Sequence, residues 1–265
     1  MRASPDARSA SSTTSAPRAV SERIHPEAHA FGLVTELYDR ARPEYPDAAI
    51  ALLRERLALG PGRTLLDLAA GTGKLTRPLA ASGADVVAVE PVAEMRALLP
   101  PDVTALDGTA EAIPLPDASV DAVAVGQAFH WFRPQEALRE IHRVLRPGGS
   151  VALVWNTRDP EDALQRDVSE MLARRGWIGR RERLDVAAEL ALSGLFGRVE
   201  ETRLPHEQLL DDAGIVDRFL SESFVANASP TDRQDFEREL RVRTAALPRP
   251  IVLPYVTEVF VARCD

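Results

Sequence analysis

The sequence predicts a single α/β fold built on a parallel β-sheet. Apolar runs typical of buried strands alternate with amphipathic helical stretches between residues 64 and 155, which is the pattern of a parallel sheet with right-handed crossovers. A glycine-containing turn joins the first of these strands to a helix. The chain has 265 residues, of which 45% are hydrophobic and 27% charged, so one sizeable core fits and two full domains would not fit easily.

The N-terminal residues differ in composition from the rest. Residues 1–27 begin rich in Ser, Ala, Thr, Pro and Arg, and they are predicted to form a disordered tail. No apolar segment of a secretory signal follows the start. A transit peptide would share the Arg and Ser bias, but the helical amphipathicity expected of one is missing. We therefore predict a cytoplasmic protein whose globular domain covers residues 28–265.

Two helices with an extended crossing between them precede the first strand. The first is predicted over residues 28–39 from its apolar spacing. Residues 40–46 read Arg-Ala-Arg-Pro-Glu-Tyr-Pro, and their two prolines exclude a continuous helix. Asp47 then caps a helix that extends to about residue 59. Tyr38, Arg40, Arg42 and Tyr45 gather in this region, either as ordinary loop residues or as part of a site.

The stretch 64–76, Thr-Leu-Leu-Asp-Leu-Ala-Ala-Gly-Thr-Gly-Lys-Leu-Thr, reads as strand, tight turn and helix. Helix N–H groups and the helix dipole favour a ligand at such a junction, and glycines let it approach the backbone. Turn chemistry alone would give the same Gly-x-Gly. A nicotinamide-binding turn would need a third glycine where Thr76 stands, and it does not ask for a carboxylate like Asp67. A nucleotide-like ligand of another kind is therefore predicted.

Four further strands follow in the first part of the chain. After a helix over 74–82, the β-branched run 86–89 predicts a second strand that ends at Glu90, where a carboxylate can accept from both hydroxyls of a ribose. A short helix over 92–99, a strand over 103–107, a Pro-rich irregular stretch over 108–117 and a strand over 119–126 come next. A helix over 134–145, a sharp turn at 146–149 and a fifth strand over 150–155 complete the alternation.

The remainder of the chain is predicted to hold an insertion and the last strands. Residues 157–197 are charged and helical in tendency, with helices over 162–175 and 181–192, which suits a lid over a pocket. A sixth strand is predicted over 199–204, helices over 209–224 and 231–246, and a final strand over 251–262.

Charge and composition point to a small-molecule partner. The net charge of −8 leaves no excess of Lys and Arg to neutralise phosphates, which argues against nucleic acid and anionic membrane. Cys264 is the single cysteine, and the five histidines show no metal-ligand spacing, so no metal is predicted. His25 and His29 are interpreted as a surface pair. No apolar run reaches the length of a membrane span.

Several segments, in this order, resemble the class I S-adenosylmethionine-dependent methyltransferases, and within them the small-molecule branch that contains ubiquinone/menaquinone and trans-aconitate methyltransferases. The matching stretches are Leu-Asp-Leu-Ala-Ala-Gly-Thr-Gly at 66–73, the strand end at Glu90, Ala-Glu-Ala-Ile-Pro-Leu-Pro-Asp-Ala-Ser-Val-Asp at 110–121, Ala-Phe-His-Trp-Phe at 128–132 and Ile-His-Arg-Val-Leu-Arg-Pro-Gly-Gly at 141–149. Residues 38–46 resemble an N-terminal motif of this branch. The resemblance implies a Rossmann-like, seven-stranded, mostly parallel sheet with an antiparallel last strand, helices on both faces and a helical lid insertion.

The resemblance also implies a set of contacts with S-adenosyl-L-methionine. Gly71 and Gly73 would let the backbone approach its methionine portion, and Asp67 would hold the turn or a water near its amino group. Glu90 would take both ribose hydroxyls. Ala69 stands where many relatives have glycine. The remaining predicted cofactor residues are Met95 against the adenine, Thr109 in place of the usual Asp, Ala110 through its backbone N–H, Glu111, and Gln127 after the fourth strand.

Three residues after the fourth strand, Gln127, His130 and Trp131, are predicted to border the reacting groups. His130 is either a general base or an orienting residue. A carboxylate acceptor, already ionised at neutral pH, needs no base, and Arg40, Arg42 or Arg158, with Tyr38 nearby, are the predicted acceptor contacts. A phenolic or quinol acceptor is the other option. A protein that binds the cofactor without transferring methyl is the alternative function, and oligomeric state is not predicted.

Overall fold

The computed structural model describes residues 35–177 and 184–264. Seven strands form one sheet in the order β3-β2-β1-β4-β5-β7-β6. The strands are β1 (Thr64–Leu68), β2 (Asp85–Val89), β3 (Thr104–Leu106), β4 (Val120–Gly126), β5 (Leu145–Arg158), β6 (Glu200–Leu210) and β7 (Ile251–Arg263).

The sheet is parallel except at its last strand. β1 pairs in parallel with β2 and β4, and β4 pairs in parallel with β5, whereas β7 is antiparallel to both β5 and β6. This confirms the predicted seven-stranded, mostly parallel sheet with an antiparallel last strand. The strand order reverses direction between β1 and β4, and ligands of open α/β sheets bind at that switch point, beyond the carboxyl ends of the strands.

Helices connect the strands on both sides of the sheet. They are α1 (Thr35–Ala41), α2 (Asp47–Arg56), α3 (Thr76–Ala80), α4 (Ala93–Arg96), α5 (Pro134–Val144), α6 (Ala163–Arg174), α7 (Val186–Ser193), α8 (Asp212–Leu220), α9 (Ser223–Ala226) and α10 (Pro230–Thr244), with a short 3₁₀ helix at Phe129–Trp131. Among the described residues, no helix combines the length and apolar character that a membrane crossing requires.

The two faces of the sheet are covered by different helices. Side chains alternate along β7, so Leu253 and Phe260 face opposite sides. Leu253 packs in a cluster with residues of α6, α8 and α10. Phe260 packs in another cluster with residues of α5 and α7. The helices predicted for the lid are present, but they pack on opposite sides of the sheet: α6 on the Leu253 side and α7 against α5.

Two strands are longer than predicted. The predicted turn at 146–149 lies within β5, where Leu145 already pairs with Val120 and a register shift separates that pair from the next one, Ala122 with Ser150. β6 continues to Leu210, so the helix predicted from residue 209 begins only at Asp212. Both strands gain length by pairing with neighbours, β6 along the whole of its length with β7. The predicted tail, His25 and His29, and residues 178–183 of the predicted lid lie outside the described residues.

Candidate active site

The turn after β1 has an unusual backbone. Gly71 and Gly73 have φ values of 58° and 88°, and Ala69 has a φ of 56°. The left-handed region suits glycine and costs other residues free energy, so Ala69 is strained. Gly71 carries no side chain, and Sδ of Met95 lies 3.9 Å from the position that its Cβ would take. The turn therefore exposes backbone beside Met95, where the sequence predicted the adenine.

Asp67 lies beneath this turn and is almost fully buried, with 1% of its surface exposed. Its Oδ2 accepts a hydrogen bond from the hydroxyl of Thr76 at 2.5 Å. Its Oδ1 is buried and has no hydrogen-bond partner among the described residues. Burial raises the pKa of Asp67 to about 6, against the opposing hydrogen bond from Thr76. A buried carboxylate oxygen without a donor is costly, and a ligand N–H would satisfy it.

Glu90 follows β2 and is also buried. Its Oε2 accepts from the backbone N–H of Gly71 and its Oε1 from that of Val92, at 2.9 and 2.8 Å. Burial raises the pKa of Glu90 to about 7, and these two hydrogen bonds oppose the shift. Each carboxylate oxygen keeps a free lone pair, which is what a pair of ribose hydroxyls requires.

The predicted adenine contacts lie in the loop after β3. Thr109 and Ala110 are buried, and the Thr109 carbonyl accepts from the backbone N–H of Ala112. Glu111 accepts the backbone N–H of Arg133, the residue before α5, so its carboxylate anchors that helix. The structure thus gives Glu111 a structural partner, and its contact with a cofactor stays a prediction.

The segment after β4 carries the three predicted reaction-site residues. Gln127 has a φ of 53° and pairs its side-chain Oε1 with the backbone N–H of Asn156 at 2.8 Å. It lines a cavity at the switch point between β1 and β4. His130 and Trp131 lie in the 3₁₀ helix with ring centroids 4.8 Å apart, and neither belongs to the lining of this cavity. A base role for His130 stays a prediction.

The cavity has two sides. One side is formed by β1, the turn after it and the residue after β4. Its lining residues are Asp67, Ala69, Gly71, Thr72, Lys74 and Gln127. The other side consists of Tyr38, Arg42, Tyr45, Asn156 and Arg218, most of them in or next to the segment of residues 38–46, which we call the crossing segment. The crossing segment therefore covers the turn that the sequence predicted to bind the cofactor.

Three arginines surround one carboxylate on the second side. Arg42 donates to Oε2 of Glu222 at 2.9 Å, and Arg218 donates to Oε1 at 2.8 Å. Arg158 is the third member of this arginine cluster (Arg42, Arg158 and Arg218 around Glu222). Burial disfavours the ionised form of Glu222, but the three guanidinium groups together outweigh it and hold its pKa well below its usual range.

Arg158 lies on the same side of the sheet as the rest of the cluster, because it pairs with Tyr255 in the register of β5 and β7. Its Nη1 is buried without a hydrogen-bond partner, and its guanidinium lies 5.7 Å from the centre of the Phe219 ring. Burial lowers its pKa. The cluster holds three positive charges and one negative charge, so it carries a buried excess of cation.

The predicted acceptor residues lie in different places in the structure. Arg42 and Tyr38 line the cavity, with the Arg42 guanidinium 5.3 Å from the centre of the Tyr38 ring, and Arg158 lies in the cluster. Arg40 has 60% of its side chain exposed and forms an ion pair with Asp217. The structure does not bring Arg40 to the cavity.

Several residues of the cavity and the arginine cluster were not among the predicted site residues, including Asn156, Arg218 and Glu222. Asn156 directly follows the predicted fifth strand, so the rule that found Asp67 and Glu90 at strand ends would have found it too. Arg218 and Glu222 are four residues apart on a helical stretch, which usually indicates a surface ion pair. Their burial depends on α8 packing against the crossing segment, for which the local sequence carries no signal.

The residues present fit the cofactor implied by the resemblance. Oδ1 of Asp67 is an acceptor without a donor, which suits an ammonium group. The carboxylate of Glu90 suits a ribose, and Gly71, which lines the cavity, has no side chain to keep a ligand from its backbone. No group of three or more His, Cys, Asp or Glu that could hold a metal occurs in residues 35–177 and 184–264.

Comparisons with known proteins identify the family of the chain. The family model of the methyltransferase domain matches residues 66–153. The chain is 42% identical over 236 residues, 86% of its length, to 92% of an uncharacterized methyltransferase of Mycobacterium tuberculosis (strain H37Rv). It is 43% identical over 93 residues to the ubiquinone/menaquinone biosynthesis C-methyltransferase of Rubrivivax gelatinosus, a match to 33% of this chain and 37% of that one.

A solved structure shows the same fold over most of the chain. It is a candidate type II methyltransferase from Anaeromyxobacter dehalogenans, similar at 28% identity with a TM-score of 0.62. The match covers 84% of this chain and 97% of that one. The similarity therefore includes the C-terminal strands as well as the segment that the family model matches.

Proposed function

Since this chain belongs to the class I S-adenosylmethionine-dependent methyltransferases, we propose that it methylates a small molecule whose carboxylate binds in the arginine cluster. S-adenosylmethionine supplies an activated methyl group when bound. Asp67, Gly71 and Glu90 are proposed to hold it, because Asp67 and Gly71 line one side of the cavity and Glu90 accepts a hydrogen bond from the backbone N–H of Gly71.

The environment of the Arg158 guanidinium supports a carboxylate as the acceptor. This guanidinium makes no hydrogen bond or ion pair with any residue of the described ranges, although Nη1 is buried. A buried guanidinium N–H without an acceptor is costly, and a planar carboxylate is the partner that matches a guanidinium fork. Arg42 and Arg218 connect this cation to the cavity, since both line it.

An ionised carboxylate needs no general base, because its oxygen is already deprotonated at neutral pH and can accept the methyl group directly. The chain's contribution is then to hold the acceptor, exclude water and fix its orientation toward the cofactor side. This agrees with a cavity lining in which the histidine next to β4, His130, takes no part.

The test is a screen of purified protein with S-adenosylmethionine against small carboxylic acids and matched phenols, with the methylated product identified by mass spectrometry. We expect carboxylic acids to gain a methyl group. Methylation of phenols alone would overturn the carboxylate proposal and would favour the phenolic or quinol acceptor.

A variant localises the acceptor. Arg158→Gln should raise the acceptor KM at least tenfold, about 1.4 kcal/mol, and leave cofactor affinity unchanged. Arg241→Gln is the charge-matched control, because Arg241 is exposed on α10 and pairs with Glu237. Equal KM values for Arg158→Gln and the control would show that the acceptor binds elsewhere.

A further inference from the structure

Tyr45 presents an unpaired hydroxyl to the cavity. Tyr45 lines the cavity together with Asp67 and Gln127, and its hydroxyl lies beside Gly126, another lining residue. Its ring packs at the edge of the core cluster that includes Leu75. In the part of the chain that the structure describes, the Tyr45 hydroxyl makes no hydrogen bond. A phenol whose ring is packed and whose oxygen faces a ligand cavity is ready to contact the ligand.

The position of this hydroxyl is closely determined. A Cβ at Gly126 would lie 2.6 Å from Oη of Tyr45, so any other residue at the end of β4 would displace the phenol from its present position. The residue before Tyr45 is fixed as well, because the Glu44 carbonyl accepts from Asn156 Nδ2 at 3.1 Å and the Glu44 carboxylate pairs with Lys74. Pro46 on the other side accepts from the first turn of α2. The hydroxyl is therefore preorganised.

Two carboxylates near Tyr45, those of Asp67 and Glu44, favour a cationic donor at its hydroxyl, although Arg42 and Arg218 also line the cavity. Burial, followed by the negative groups nearby, which include Asp67 and Glu44, raises the pKa of Tyr45 well above the ordinary value, so the phenol stays neutral. A neutral hydroxyl keeps lone pairs that can accept. Oδ1 of Asp67, on the same cavity, is a second acceptor without a donor.

We propose that the hydroxyl of Tyr45 is a further cofactor-binding group, which receives a cationic part of S-adenosylmethionine together with Oδ1 of Asp67. The cofactor carries two cations, an ammonium and a sulfonium. The proposal rests on the cofactor of the family and not on the carboxylate acceptor, so it can fail while the proposed function stands.

Calorimetric titration of Tyr45→Phe tests the proposal without any turnover. We expect the variant to bind S-adenosylmethionine at least tenfold more weakly than the wild type, with an unchanged melting temperature in the absence of ligand. S-adenosylhomocysteine keeps the ammonium but lacks the sulfonium. An equal loss for both ligands assigns the contact to the ammonium, and a loss for S-adenosylmethionine alone assigns it to the sulfonium. Unchanged affinity for both ligands would overturn the proposal.

Gly126 supplies an independent variant. Gly126→Ala should displace the hydroxyl and weaken binding in the wild type. The added loss should be smaller in the Tyr45→Phe background, where the atom at 2.6 Å is gone and only the contacts at 3.2 and 3.3 Å with Cδ2 of Leu75 and Cζ of the ring remain. The same loss in both backgrounds would count against the hydroxyl. The chain has three tyrosines, so fluorotyrosine labelling gives three ¹⁹F resonances, and the one absent in Tyr45→Phe should move when S-adenosylhomocysteine is added.

Discussion

The backbone N–H of Gly71 donates to Oε2 of Glu90 at 2.9 Å, which joins the turn after β1 directly to the end of β2. The other oxygen of Glu90 accepts from Val92. Two strand ends thus orient one buried carboxylate, and its remaining lone pairs are held in place before any ligand arrives.

The first prediction concerns this carboxylate. Glu90→Ala should weaken S-adenosylmethionine binding at least tenfold, about 1.4 kcal/mol, because it removes the acceptor of the ribose hydroxyls. Calorimetric titration measures the effect, and Glu94→Ala on the exposed face of α4 is the control. Wild-type affinity in a folded Glu90→Ala protein would exclude Glu90 from the cofactor site.

The second prediction is a pH dependence with opposite signs for stability and binding. The raised pKa values of Asp67 and Glu90, about 6 and about 7, exceed the unfolded values near 4. Their contribution to the stability of the free protein is therefore present at low pH and is lost as pH rises through 6 to 7. Binding of a cationic cofactor needs the ionised carboxylates, so affinity should increase over the same interval.

Thermal melts from about pH 5 to pH 8, with and without S-adenosylhomocysteine, measure both trends. The shift of the melting temperature by the ligand should grow with pH. Asp67→Asn should reduce that growth. A ligand-induced shift that is constant across the range would contradict the assignment of these two carboxylates to the site.

The third prediction concerns the arginine cluster. Glu222→Gln removes the negative charge among three buried guanidinium groups, so it should lower the free energy of unfolding by about 3–5 kcal/mol. Since the pKa of Glu222 is lowered in the folded state, its contribution is present above the unfolded value and is lost as pH falls. Urea denaturation at neutral pH measures this change in the free energy of unfolding. Glu200→Gln, in an exposed pair with Arg56, should change it by less than about 0.5 kcal/mol.

A carboxylate ligand should restore part of that loss. If millimolar acetate or succinate stabilises the wild type and Glu222→Gln equally, the cluster does not receive an external anion. A larger gain in the variant is expected, because the unpaired positive charge is larger there.

The fourth prediction concerns the strained turn. Ala69→Gly relieves a positive φ, a gain of about 1–2 kcal/mol, against an entropic cost of about 0.4–1 kcal/mol. The variant should therefore be as stable as the wild type or slightly more stable. The matched variant Ala70→Gly, at a buried residue without a positive φ, should lose about 1 kcal/mol. Equal losses in the two variants would show that Ala69 is not strained.

Strand ends were predictable from the sequence, and long-range partners were not. Asp67 lies near the end of β1, and Glu90 and Gln127 directly follow β2 and β4, so finding the strand also locates the residue. Arg42 and Glu222 are separated by 180 positions, and their contact depends on how α8 packs on the crossing segment. Pairing also overrode local signals, since the Pro-Gly-Gly sequence at 147–149 predicts a turn but lies within β5.

The crossing segment touches both sides of the cavity, through Glu44 to Lys74 on one and through Arg42 to Glu222 on the other. A ligand that restricts this segment from one side reduces the conformational entropy that is lost when the other ligand binds. We therefore expect heterotropic coupling, in which the cofactor and the acceptor alter each other's dissociation constants by the same factor. Titrating each ligand in the presence of the other measures that factor twice.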